Sequence, residues 1–155
     1  GGDRDAREGM SLASLFGGLA LANAGLGAVH GLAGPIGGRV TAPHGAICGA
    51  LLPHVTAANL HALETRAPDH PARQRYDVIA RTLTGRDDAR ASDGVEWIRL
   101  LVAALGIPSL GTYGLGSADV DALVEQARRA SSMKANPIVL TAKELREALE
   151  AAMAG

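Results

Sequence analysis

The chain has 155 residues, the size of one domain, with 15 basic and 16 acidic side chains and a formal net charge of −1. The charges are mixed along the chain with no basic stripe, so nothing favours a nucleic-acid partner. Aromatics make up 3% and small residues abound, which points to closely approaching helices, and the single cysteine, Cys48, rules out an internal disulfide framework and fits a reducing, cytoplasmic setting.

The chain opens GGDRDARE without a methionine, as expected of a piece of a longer polypeptide. A first helix is predicted over about residues 5–24, apolar on nearly every face. Gly25 and Gly27 loosen it, and GLGAVHGLA continues as a second helical stretch until GPIGG (34–38) breaks the pattern. Pro43 at a first-turn position suits a new helix from His44, with a kink or break expected at Pro53. RAPDHPA reads as a loop. ARQRYDVIARTL follows, with Tyr76, Ile79, Ala80 and Leu83 on one face and Gly85 as its C-cap.

GRDDARASDG is polar and turn-like, and Ser92 or Asp93 would cap VEWIRLLVAALG. There Val95, Ile98, Leu101, Val102 and Leu105 form an amphipathic stripe, ended by Gly106 and Pro108. SLGTYGLG is irregular. Ser117 or Asp119 starts VDALVEQARRA, with Val120, Leu123, Val124 and Ala127 on one face. SSMKANP is a loop, and Thr141 with Glu144 forms a capping box before the last helix. IVL (138–140) is too short for a strand, and no internal repeat occurs. The fold class expected is all-α: a single-domain bundle, residues 1–155, of roughly six or seven helices.

Residues 9–38 carry no charge, a run long enough to suggest a membrane span. Its Asn23, His30, Pro35 and many glycines, without an aromatic belt or basic flank, favour burial inside a larger protein instead. The acidic and basic residues of DRDARE argue against a signal peptide.

GLGAVH (25–30) has the start of a dinucleotide fingerprint, but His30 stands where the third glycine belongs. No strand precedes it and no acid follows at the required distance, so the glycines serve packing or a bend. His30 and His44 are the informative pair. Neutral imidazole ligates divalent metals, and a spacing of fourteen requires a turn that returns the chain, for which GPIGG offers a corner. From the residues alone, the plainer alternative of hydrogen-bonded histidines at helix ends stays open and is favoured. Two ligands are also fewer than a catalytic site uses. His54 is expected in or near the core, and His61 and His70 in solvent. Cys48 reads as a small apolar packing residue, Trp97 as core, and Arg128, Arg129 and KELREALE as solvated faces.

One block carries more. Asn23, Gly25, Leu26, Gly27 and His30, then Pro43, His44 and Gly45, then Leu51, Leu52, Pro53 and His54 resemble, in order and spacing, the helical C-terminal half of the iron-containing alcohol dehydrogenases. Gly106–Pro108 and Asn136-Pro137 extend the resemblance over nearly the whole chain.

The resemblance implies a divalent metal, Fe(2+) or alternatively Zn(2+), held between two domains by one aspartate and three histidines. The last two of these histidines match His30 and His44. The metal would act as a Lewis acid on an alcohol or aldehyde oxygen, with hydride passing to NAD or NADP. No catalytic residue is assigned beyond these ligands. The sequence departs from the family pattern at Gly34, where many members have a nicotinamide-proximal histidine. The N-terminal dinucleotide-binding domain, with the aspartate and first histidine, is also absent from this chain. By resemblance Lys134 would approach the interdomain cleft; a solvated loop lysine is the alternative.

The expected partners are that N-terminal domain, a small alcohol or aldehyde and further copies in a homo-oligomer, with no nucleic acid and no membrane. The chain alone is expected to be inactive and to hold metal weakly. The rival reading is a non-catalytic truncated helical module that self-associates or binds a protein partner. Exposed small and apolar residues around His30 and His44 would favour the first reading.

Overall fold

The computed structural model describes residues 2–154, so Gly1 and Gly155, the ends of the expected domain, lie outside the described residues. Among the described residues there are seven α-helices and no strand. They are α1 (Arg4–Ala24), α2 (Ala28–Gly37), α3 (His44–Arg66), α4 (Ala72–Thr84), α5 (Ala91–Ala104), α6 (Val120–Arg129) and α7 (Ala142–Ala154). Short 3-10 turns at Leu110–Tyr113, Ser117–Asp119 and Ser131–Ala135 link the later helices. The all-α bundle expected from periodicity is what forms.

The core lies among α2, α3, α6 and α7. Leu32 and Ile36 of α2 meet Ile47, Leu51 and Val55 of α3, and Leu123, Val124, Leu145 and Leu149 close the other side. The α4–α5 hairpin packs on the flank of α3. There the Gly94 backbone approaches Ala80 so closely that a Cβ on Gly94 would stand 3.0 Å from the Ala80 Cβ.

Several local signals act as expected. Gly85 is the left-handed C-cap of α4 (φ 68°). At the start of α7, Glu144 N–H donates to Thr141 Oγ1 (3.2 Å), and Thr141 N–H donates to the Glu144 carboxylate (2.6 Å). Other expectations need correction. GPIGG does not break the second helix, because α2 runs through Pro35 to Gly37 and the corner lies at residues 38–43. Pro53 likewise sits inside an unbroken α3.

Each proline lies inside its helix all the same, leaving the carbonyl four residues earlier, of Gly31 and of Gly49, without its helical N–H donor. Helix α5 begins at Ala91, one turn earlier than VEWIRLL suggests. Asp93 acts from within the first turn, accepting the Arg90 N–H at 2.7 Å. SSMKANP contains a 3-10 turn rather than loop alone.

Burial departs from the helical stripes in two places. On α5 only Val95 of the predicted stripe is buried, and Leu101 and Leu105 face outward. Trp97 is half-buried rather than core. On α4 Ala80 is buried but Ile79 is exposed.

Helix α1 departs most. None of its residues is buried within this chain, and Met10 and Phe16 are 69% and 62% exposed. Asp3 caps it, accepting the Ala6 N–H at 3.0 Å, and Gly25 (φ 73°) ends it. The uncharged run is therefore not one straight rod, since α1 and α2 meet at 105°. Among the described residues α3 alone is long and apolar enough to cross a membrane, and half of that stretch is buried in the bundle.

Candidate functional site

The site forms where α2 begins and where α3 begins. Helix α2 buries Ala28, Gly31, Leu32, Ala33 and Ile36, which turns His30 and Gly34, one turn apart, toward the open side. Helix α3 buries Ile47, Ala50 and Leu51, which leaves His44, Cys48 and Leu52 as a ridge at four-residue spacing on its outer face. The turn between the helices sets the two faces side by side. Val40 N–H returns to the Ile36 carbonyl at 3.0 Å, and Arg39 is held to Asp119 by an ion pair at 3.2 Å.

As a result the rings of His30 and His44 stand 5.5 Å apart, centroid to centroid, tilted by 49°. Cys48 Sγ lies 3.4 Å from His44 Nε2. One donor atom from each of His30, His44 and Cys48 falls within 4.8 Å of the other two. Burial lowers the pKa of His30, and the neighbouring His44 lowers it further, which favours neutral imidazole.

A groove of about 420 Å³ opens beside His30 and Cys48, with Leu26, Val29, Leu52 and Asn136 in its walls. Gly34 is exposed, and a Cβ built there meets nothing within 4 Å.

Asn136 holds α2 in place. Its side-chain oxygen accepts the Ala28 N–H at 3.0 Å, satisfying a free amide in the first turn of the helix that carries His30. Gly27 permits this approach, since a Cβ there would stand 2.9 Å from Asn136 Oδ1. The G-L-G and N-P elements of the sequence, far apart in the chain, thus meet at one helix end.

The other sequence candidates lie elsewhere. His54 is half-buried on a different face, beside Arg99 and Pro108, and its pKa is lowered by burial and then by Arg99. His61 and His70 are exposed, as expected. Lys134 is exposed and lines a separate groove with Arg66, Arg128 and Val139. Arg128 is solvated and paired with Glu125 at 2.8 Å. Sequence reasoning placed Cys48 among packing residues and gave Asn136 no positioning role. The i, i+4 spacing of His44 and Cys48 on one helix was the available signal for the former.

Comparison with known proteins decides the family. The profile of "Fe-containing alcohol dehydrogenase family, C-terminal" matches residues 1–153. The chain belongs to the iron-containing alcohol dehydrogenase family. It is 34% identical over 154 residues to alcohol dehydrogenase 4 of Schizosaccharomyces pombe, covering 99% of this chain and 35% of that protein. It is 34% identical over 139 residues to 1,3-propanediol dehydrogenase of Klebsiella pneumoniae, covering 88% of this chain and 35% of that one.

Among solved structures, 1,3-propanediol oxidoreductase superposes with a TM-score of 0.82 at 30% identity, covering 97% of this chain and 39% of its own. An iron-containing alcohol dehydrogenase from Thermococcus thioreducens gives 0.82 at 28%, covering 99% and 39%. This chain of the alcohol dehydrogenase family therefore spans little more than a third of the length of these relatives.

Proposed function

We propose that this chain is the metal-holding helical part of an NAD(P)-dependent alcohol dehydrogenase that passes hydride between an alcohol or aldehyde and nicotinamide. The observation that carries the reading is the convergence of His30 and His44 from two helices, with rings 5.5 Å apart. The donor set fits a divalent ion. Imidazole nitrogens sharing a tetrahedral ion stand about 3.4 Å apart, and side-chain rotation closes that distance from the separation observed here.

When bound, the ion polarises the alcohol oxygen and the nicotinamide accepts the hydride. The residues of this chain hold and orient. His30 and His44 present nitrogen donors to one point, and Asn136 fixes the helix end from which His30 projects. The groove lined by Leu26, Val29 and Leu52 is open and mostly apolar, and suits a small, largely apolar alcohol. Gly34 leaves open the position where many relatives carry a further histidine, so any proton relay there falls to another group.

In this reading an N-terminal domain supplies the dinucleotide site and the remaining ligands, the complete enzyme works in the cytoplasm as a homo-oligomer, and the chain alone is inactive. The exposed Leu52, Gly34, Pro43 and Gly45 around the histidines suit such a covering domain better than an independent module.

The test is alcohol-dependent reduction of NAD or NADP by the chain joined to a dinucleotide-binding half, with Fe(2+) or Zn(2+) supplied. Activity that falls no less than about 100-fold in His30→Ala is expected. Full activity in that variant, or none from a verified assembly, would sink the reading.

A further inference from the structure

We infer that Cys48 is a third metal ligand, so that His30, His44 and Cys48 form a His2Cys zinc site within this chain. The inference rests on the proposed role of the two histidines and adds to it a soft donor that changes which ion is held.

Cys48 follows His44 by one helical turn, and its sulfur already lies 3.4 Å from His44 Nε2. Nitrogen and sulfur donors on one tetrahedral zinc stand about 3.6 Å apart, given bond lengths near 2.1 and 2.3 Å. The pair therefore needs almost no rearrangement. His30 brings the third donor from the neighbouring helix, all three lying within 4.8 Å of one another. Room for the ion exists on the open side, where Gly34 offers no Cβ contact and the groove runs past His30 and Cys48.

In this chain alone, three protein ligands leave the fourth position of a tetrahedral zinc to water. On binding, the thiol gives its proton to bulk water and the thiolate becomes the ligand. A thiolate shifts preference toward zinc and away from the harder ferrous ion. The expectation of weak binding by two histidines is thereby replaced by one of retained zinc.

Cobalt(II) reads the site directly, because a thiolate ligand adds a near-ultraviolet charge-transfer band to the visible ligand-field bands. The purified chain, stripped with chelator and kept under argon, is titrated with Co(2+). Saturation at one ion per chain with both sets of bands is expected. Since Cys48 is the one cysteine in the sequence, the charge-transfer band has a single source.

Cys48→Ser and Cys48→Ala, checked for unchanged helicity by circular dichroism, should lose that band and keep the visible ones. Zinc competition should show their affinity reduced at least about tenfold. Visible bands without the charge-transfer band in the unmodified chain would overturn the ligand role of Cys48 and leave the two-histidine reading standing. No cobalt bands of either kind would overturn the zinc site within this chain, while the two-histidine reading, whose remaining ligands come from the N-terminal domain, stands or falls on the activity of the joined halves. Saturation at one ion per two chains would also overturn the zinc site, since the ion would then be held between two copies.

Discussion

Asn136 donates from its side-chain nitrogen to Asn59 Oδ1 at 2.7 Å and to the Ile138 carbonyl at 2.7 Å, while its oxygen takes the Ala28 N–H. Asn59 is the one polar residue among the fully buried ones described, at 5% exposure. These two amides lock the segment before α7 onto the start of α2 and the middle of α3. They fix the helix ends behind the histidine pair.

Asn136→Ala removes the partner of the first-turn amide and one partner of Asn59. The expected loss is about 2–4 kcal/mol of stability, read from urea unfolding. Asn59→Ala in the same background should add less than its own single effect, because the partners are already gone. Strict additivity would mean the two amides are not one network.

Acid should weaken the join between α3 and α7. Burial alone would raise the Glu144 carboxyl, but the Thr141 amide and hydroxyl together with Arg66 outweigh it and hold the group below its ordinary 4.5. Because the folded value is the lower one, the unfolded chain takes up the proton first as pH falls. The contribution of Glu144 is complete above pH 4.5 and is lost as pH drops through the folded value. Stability measured against pH should show a shallower acid limb in Glu144→Gln than in the unmodified chain.

Two glycines should respond differently to alanine. At Gly94 a Cβ would press on the Ala80 backbone, 3.2 Å from its Cα, so Gly94→Ala should destabilise by about 1–3 kcal/mol. At Gly34 nothing stands within 4 Å. There a helix-propensity gain of up to about 1 kcal/mol opposes the crowding that Pro35 imposes on the residue before it. Gly34→Ala should therefore unfold within about 1 kcal/mol of the parent in the same denaturant series.

Helix α1 presents Met10, Leu15, Phe16 and Leu19 to the outside. A surface of that kind associates. Light scattering over a concentration series should show self-association of the chain, reduced in Leu15→Glu and Phe16→Glu. Because α1 buries nothing within the chain, these changes should leave the unfolding free energy of the bundle within about 0.5 kcal/mol. A large drop in stability would show that α1 packs on the body after all.

Much of the architecture was legible because it is written in local signals. Capping pairs such as Thr141 with Glu144, the left-handed Gly85 and the three-and-four spacing of apolar residues act within a turn or two of themselves. Prolines misled, since each removes one helical hydrogen bond without ending a helix whose neighbouring turns are packed, as those of Leu32 and Ile36 around Pro35 and of Leu51 and Val55 around Pro53 are. The stripe of α5 misled for another reason: periodicity shows which face is apolar, not whether anything in this chain covers it, and Leu101 and Leu105 remain outside.

The sequence by itself determined the helix order, the family and the spacing of the two candidate histidines, because these rest on short-range chemistry and on a spaced motif. Only the tertiary structure decided that donor atoms of His30, His44 and Cys48 come within 4.8 Å of one another, that Asn136 caps the helix bearing His30, and that α1 buries nothing within this chain. Those are relations between segments far apart in the chain. They follow from how α2 and α3 cross and from which faces their packed sides leave open, and no local pattern of residues specifies that.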